Sequence, residues 1–301
     1  NTSVVNNLLS LQEVLLSTEG RLIESDFDEN NFVFTSIAID SRNCKEGSFF
    51  VPLVGSLEGH DFILSAAENG AKTVFINEYY LKFHEAEATS FVEAGLCVIV
   101  VSHTMYALQN MAAYYVSKFP QLKKVGITGS SGKTTTKEIL VSMLKEKYEI
   151  VYNEGNLNSE TGLPLSVFNI REKHQWAVFE IGMNRRGEIR ELTKVLQPHI
   201  AIITNIGSAH IGNLGTKDFI AEEKKSIFSF FETASIGIIP LFGSYKDFLQ
   251  EGVKGQMIEY GNYESLKIYN LKDLGLEGSE FFMDDEKIHF PLYGSFNFLN
   301  A

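Results

Sequence analysis

The stretch VGITGSSGKTTTKEIL, Val125 to Leu140, sets Gly129, Ser130, Ser131, Gly132 and Lys133 between a short apolar run and a helix-like run. Tested against the nucleotide-loop pattern GxxxxGK[ST], it fails by one residue, because Ile127 stands where the first glycine belongs. The chemistry of a phosphate cradle is nevertheless complete. Glycines let backbone N–H groups converge on an anion, and the helix start turns its positive dipole end toward the same point. Lys133 can bridge the outer phosphates and Thr134 can reach a magnesium ion, with Thr135 next in the same run. The competing reading is a polar strand-to-helix turn with a solvated lysine.

Composition limits what this loop can belong to. With 301 residues, 44% hydrophobic and 21% charged, the chain is long enough for about two globular domains. No apolar run approaches the roughly 20 residues that cross a bilayer, and the N-terminal NTSVVNNLLSLQEVLL lacks the basic start of a secretory signal, so a cytoplasmic location without membrane insertion is expected. Cys44 and Cys97 stand alone, which suggests neither a disulfide framework nor a zinc site. A formal net charge of −12 argues against nucleic-acid binding, but a few local donors can still hold a small anionic substrate.

Working outward, short apolar runs alternate with helical patterns, which predicts an α/β fold. Strands are expected at Phe34 to Ile39, Ser48 to Val54 and Thr73 to Ile76, with a helix before the last that stops at Gly70. After an acidic segment, FHEAEATSFVEAG, comes the buried strand CVIVV; MYALQNMAAYYVSKF then reads as a helix ending at Pro120. We place a boundary near Ser102 to Thr104, giving a small N-terminal α/β domain over 1–103 and a mostly parallel P-loop domain over 104–301. WAVFEIG, IAIITNIG and SIGIIP continue the parallel sheet, with helices expected at Gly187 to Leu196 and Lys217 to Phe231. The tail reads as β-rich with hairpin turns.

Polar residues at strand ends give the second clue. AVFEIGMN puts Glu180 near the end of a buried strand, and ITNIGSAH puts Asn205 and His210 just beyond another. Ligands of open parallel sheets sit outside the carboxyl ends of the strands, and phosphoryl transfer needs oxygen or nitrogen ligands there to hold magnesium. Singly, each residue also reads as a surface glutamate or a loop histidine.

GITGSSGKTTTKEIL, NEGNLNSETGLPLSV, AVFEIGMNRRGEI, ITNIGSAHIGNLGT and IAEEKKSIF, in this order and spacing, resemble the Mur ligases of bacterial cell-wall synthesis. The family's nucleotide loop is one residue short, which accounts for the failed pattern. The wording TGSSGKTTTK, the segment GNLNSETGLPL and the N-terminal DSRNCKEGSFFVPLVGSLEGHDFI resemble most the branch that joins D-Ala-D-Ala to a UDP-N-acetylmuramoyl-tripeptide.

The resemblance implies an ATP-dependent amide ligase: the peptide carboxylate is phosphorylated, the acyl phosphate is attacked by an amine, and ADP and phosphate leave. Lys133, His210 and Lys224 would be catalytic. Thr134 and Glu180 would hold one magnesium ion; His210 and a carbamylated Lys224 would hold a second. Between Lys224 and Lys225, aligning Ile220 and Ile227–Phe228 with the family motif puts Lys224 at the matching position; a helix here would carry Ile220, Ile227, Phe228 and Phe231 on one face. Ser41 and Arg42, with Gly59, His60 and Asp61, would bind the UDP end of the substrate, and Asn156, Asn158 and Thr161 its diphosphate or sugar. For each group a bland alternative exists, a capped turn for DSR and a helix start for His60.

At the end, YGSFNFLNA resembles a family motif whose asparagine contacts adenine; Asn297 and Asn300 match, whereas Phe296 stands where histidine is usual. The family continues with a third, Rossmann-like domain, so the chain reads as lacking that domain and as inactive alone, and as monomeric. Competing expectations are the sister ligase that adds the third peptide residue, folylpolyglutamate synthase, which the DSR domain disfavours, and a non-catalytic nucleotide-binding module. Two metal positions would serve no purpose in the last.

Overall fold

In a computed structural model of the chain, residues 6–24, 27–207, 216–261, 267–294 and 297 are described. Two units are distinguished: Asn1–Pro120 with Pro164–Asn169, and Gln121–Leu163 with Ile170–Ala301.

The first unit is built on the strands β1 (Arg21–Leu22), β2 (Ser36–Ala38), β3 (Ser48–Phe50), β4 (Ala71–Asn77) and β5 (Cys97–Val101). They form one sheet in the order β1-β5-β4-β3-β2, parallel except for β1. Every residue of CVIVV is buried, as an apolar run covered on both faces requires. The helix α1 (Leu11–Thr18) begins with a capping box, in which Ser10 accepts from the Glu13 N–H and the Glu13 carboxylate accepts from the Ser10 N–H.

After α2 (Ile63–Glu68) and β4 comes α3 (Glu78–Phe83), and the acidic segment FHEAEATSFVEAG, to which no element was assigned, forms α4 (Glu85–Glu93). These two helices bury little beyond Tyr80, Ala88 and Phe91, which is why their period is faint in the sequence. The boundary also differs from expectation. The helix α5 (Thr104–Ser117) buries Ala107, Leu108, Met111, Ala112, Tyr115 and Val116 and packs on α1 and β4. It therefore belongs to the first unit, and the division falls at Pro120/Gln121 rather than before Thr104.

The second unit carries the strands β6 (Lys123–Thr128), β7 (Ile150–Tyr152), β8 (Trp176–Glu180), β9 (Ile200–Ile203), β10 (Ile236–Pro240) and β11 (Gln256–Tyr260). All pair in parallel, in the order β11-β10-β9-β6-β8-β7. In chain order the helices between them are α6 (Lys133–Lys145), α7 (Gly162–Val167), whose residues from Pro164 on group with the first unit, α8 (Glu188–Leu196), α9 (Lys217–Lys225) and α10 (Lys246–Gln250). The hairpin-rich tail is confirmed for the antiparallel strands β12 (Ile268–Asp273), β13 (Ser279–Met283) and β14 (Glu286–Phe290). Its first segment, around Tyr260, instead closes the parallel sheet as β11. Because β6 sits centrally with β8 and β9 on its two sides, the loops after these three strands meet at one edge of the sheet.

Candidate active site

The loop after β6 is held open by glycine for steric reasons. At Gly129, φ is +156° and a Cβ would fall 1.8 Å from Thr204 Oγ1; at Gly132, the N-cap of α6, φ is +78°. A row of bonds from the end of β9 braces the loop. The Ser130 and Ser131 N–H groups donate to Asn205 Oδ1 at 3.1 and 3.0 Å, and Asn205 Nδ2 donates to Ser131 Oγ at 2.8 Å. Thr204 Oγ1 donates to Ser131 O, and the Gly207 N–H donates to Ser130 Oγ. The Tyr260 hydroxyl in turn donates to Thr204 O, and burial pushes its pKa up to about 12. Asn205, read from the sequence as a strand-end polar group, thus spends its amide on the loop.

The first turn of α6 delivers the chemistry. Lys133 Nζ donates to Gly129 O at 3.0 Å, and burial lowers the Lys133 pKa against the opposing pull of Glu180. Thr134 Oγ1 donates to Glu180 Oε2 at 2.7 Å. Asn158 Nδ2 donates to the other carboxylate oxygen, Oε1, at 2.6 Å. Glu180 is buried at the end of β8. Thr134 and Glu180 therefore offer two hard oxygen donors side by side, the donor class magnesium requires. Among the described residues, no group of three or more His, Cys, Asp or Glu is placed to hold a metal.

Lys224 joins this cluster from α9. It is 1% exposed, and its pKa falls to about 7, chiefly through burial and further through the nearby Lys133 ammonium, while Glu223 pulls the other way. Ile220 on the same helix is buried, as are Ile227, Phe228 and Phe231 beyond its end, where a 3-10 turn (Ser226–Phe228) follows in place of the single helix expected as far as Phe231. Lys225 points elsewhere: its ammonium donates to Phe248 O at 2.6 Å and Glu251 O at 2.7 Å, at the C-terminal end of α10. Those carbonyls carry the negative end of the helix dipole, so Lys225 is occupied as a cap. His210 and Asn300 lie outside the described residues.

A cavity of about 430 Å³ opens beside the loop, lined among others by Gly132, Thr135, Asn205, Phe242, Tyr260 and Asn297. Asn297 donates through Nδ2 to Tyr293 O at 2.8 Å. Of the residues assigned to the diphosphate or sugar, Asn158 is committed to Glu180, Thr161 pairs with Ser159 at 3.3 Å, and Asn156 is exposed.

In the first unit, the expected UDP-binding residues gather after β2 and β3. Ser41 is buried, and the Asp40 carboxylate caps the turn Ser41–Asn43 by accepting from the Arg42 N–H. Arg42 folds its guanidinium back onto Asp40, with NH2 to Oδ2 at 2.6 Å, and holds that carboxyl down at about 2. A Cβ on Gly59 would lie 2.4 Å from Leu53 O, so a glycine is required there for packing. His60 departs from the expectation of a free ligand-binding ring. The Asn77 N–H donates to Nε2, leaving the proton on Nδ1 to donate to Glu58, and the ring stacks on Tyr80 at 4.2 Å. Both nitrogens are spent on the protein, and burial lowers the His60 pKa. Asp61, one residue on, is exposed.

Sequence reasoning missed several buried polar residues. Glu223 accepts from the Gly187 and Ile189 N–H groups, and Glu188 accepts from those of Glu160, Asn184 and Arg185, so two carboxylates order the loops around α8. Lys137 and Asn153, both buried, stand behind Glu180. A lysine among buried helix positions and an asparagine directly after a strand were the available signals.

Residues 127–301 match the Mur ligase middle domain. The chain is 41% identical to UDP-N-acetylmuramoyl-tripeptide--D-alanyl-D-alanine ligase of Treponema pallidum over 98% of its own length and 63% of the relative's. To the enzyme of that name from Bacillus subtilis it is 31% identical, over 97% and 62% of the two chains. A crystal structure of MurF from Acinetobacter baumannii superposes with a TM-score of 0.83 at 29% identity, covering 96% of this chain and 62% of that one. MurF ligase from Thermotoga maritima in complex with ADP gives a TM-score of 0.70 at 31% identity, over 88% and 60%. The chain thus spans somewhat under two thirds of the length of these relatives.

Proposed function

This chain belongs to the Mur ligase family, and on that premise we propose that its protein joins D-Ala-D-Ala to a UDP-N-acetylmuramoyl-tripeptide at the expense of ATP, in the cytoplasm. The observation that carries the reading is the convergence of Lys133, Thr134, Glu180 and Lys224 at one edge of the parallel sheet. A loop that only bound a nucleotide would have no use for a second buried lysine beside the first. The names of the similar proteins supply the substrates, which this chain's own geometry does not choose.

In this reading the loop from Ser130 to Thr135 cradles the ATP phosphates, with the Ser130 and Ser131 N–H groups held by Asn205 and the start of α6 presented to the anion, and the cavity bounded by Phe242, Tyr260 and Asn297 takes the nucleoside. Lys133 offsets charge on the phosphoryl group as it moves from ATP to the peptide carboxylate. The D-Ala-D-Ala amine then attacks the acyl phosphate, forming the amide and releasing phosphate. Thr134 and Glu180 would hold magnesium, which supplies neutralisation of the phosphate charge when bound. Lys224, whose amine is readily neutral, would react with carbon dioxide to give an anionic carbamate, and with His210 would hold a second ion.

Ser41, Arg42 and Asp61 remain the residues we assign to the UDP end, with Gly59 and His60 shaping their loop. The test is ADP release by the full-length protein supplied with UDP-muramoyl-tripeptide. Stimulation by D-Ala-D-Ala is expected; stimulation by a diamino acid on a dipeptide substrate instead would overturn the assignment.

A further inference from the structure

Among the described residues Lys137 has one of the largest fully buried side chains, yet that side chain ends in a basic amine. It lies on α6 one turn beyond Lys133, and its ammonium reaches the main chain just past the end of β7. Burying an ammonium costs several kcal/mol unless its donors are used, and replacing such a group by an apolar one of similar volume is often neutral or stabilising. Stability alone therefore gives no reason for a lysine here.

Its contacts supply one. Lys137 Nζ donates to Asn153 O at 2.7 Å and pairs with Glu138 at 3.0 Å. Asn153 follows β7 directly, at the point where the β7–β8 ladder ends with the pair Tyr152 and Val178. Beyond that pair, the Glu180 backbone has no strand partner on the β7 side. The Asn153 side chain takes that place: the Glu180 N–H donates to Asn153 Oδ1 at 2.8 Å, and Asn153 Nδ2 donates to Glu180 O at 2.9 Å. The second Nδ2 hydrogen goes to Leu157 O at 2.7 Å. With an N–H facing one end of the amide and two carbonyls facing the other, its orientation is determined.

Asn153 thus grips both backbone groups of Glu180, and Lys137 fixes the main chain of Asn153. The Glu180 carboxylate is anchored from behind by this pair and oriented in front by Thr134 and Asn158. We propose that Lys137 is a positioning residue for the Glu180 carboxylate, acting through Asn153. The inference rests on the reading of Glu180 as a magnesium-holding residue, and it assigns Lys137 no contact with nucleotide, metal or substrate.

Partners that orient a metal ligand typically contribute 10–100-fold to metal affinity. The experiment uses full-length protein carrying Lys137→Met, Asn153→Ala or Glu180→Gln. Manganese binding is followed by electron paramagnetic resonance in the presence of a non-hydrolysable ATP analogue, alongside thermal unfolding and affinity for the UDP substrate. Lys137→Met is expected to weaken manganese binding by about tenfold or more, with UDP-substrate affinity unchanged. Should Lys137→Met not fold, Asn153→Ala decides by the same readouts. Manganese affinity equal to wild type in the folded variants, with only the melting temperature lowered, overturns the proposal. Unchanged manganese binding in Glu180→Gln overturns the underlying reading of the site, and that outcome is distinct from the first.

Discussion

Lys224 offers the sharpest prediction, because only a neutral amine has the lone pair that attacks carbon dioxide. Its pKa of about 7, against 10.5 for an unperturbed lysine, has a physical source in near-complete burial and in the neighbouring Lys133 ammonium. At pH 7.5 about three quarters of the Lys224 amine is then neutral, compared with about one part in a thousand for a lysine of pKa 10.5, a gain of roughly 10³ in reactive form. In the full-length protein equilibrated with ¹³C-bicarbonate at pH 7.5, a carbamate carbon resonance is expected by NMR and should vanish in Lys224→Met. Lys225→Met should retain it, since that ammonium is fixed on Phe248 O and Glu251 O. The same shift has a stability consequence of definite sign. Between pH 7 and 10.5 the unfolded chain binds more protons at this site than the folded one, so the destabilisation caused by Lys224 is full below about pH 7 and fades toward pH 10.5. Without bicarbonate, Lys224→Met should exceed wild type in melting temperature most at pH 6, the gap narrowing as pH rises. A carbamate signal that survives in Lys224→Met, or a gap that does not change with pH, would refute the reasoning.

Two further predictions concern binding. Asn205→Ala removes the brace from both loop N–H groups that meet Oδ1, and a misplacement of about 1 Å at a reacting group can cost about 100-fold, so kcat/KM for ATP should fall on that order while UDP-substrate affinity holds; equal kcat/KM would show that the loop keeps its shape unaided. Arg42→Ala should weaken binding of the UDP substrate about tenfold by calorimetry, the usual worth of a hydrogen bond to a charged group, and unchanged affinity would remove Arg42 from the substrate site.

What the sequence disclosed and what it concealed divide along the distance between interacting residues. The P-loop was readable despite its missing glycine, because strand, glycines, lysine and helix are consecutive and each imposes its own local pattern. Lys224 was chosen over Lys225 by aligning Ile220 and Ile227–Phe228 with the family motif, all within one short contiguous segment, and Lys224 is the buried one of the two lysines. Gly59, His60 and Asp61 in GHDF were assigned to the UDP end through the family resemblance. That the His60 ring is held by the N–H of Asn77, 17 residues on, had no local signal. Asn153 was no more than a residue after a strand until β8 was laid beside β7, and its partner Glu180 lies 27 residues away. Such residues have no local period, since they substitute for a backbone partner where a ladder stops. The same reasoning accounts for the domain boundary: the apolar positions of α5 announce a buried face, but only the fold decides that α1 and β4 cover it. Chemistry carried by contiguous motifs is therefore legible in one sequence, whereas the residues that aim this chemistry are set by strand order, and they become visible only with the sheet.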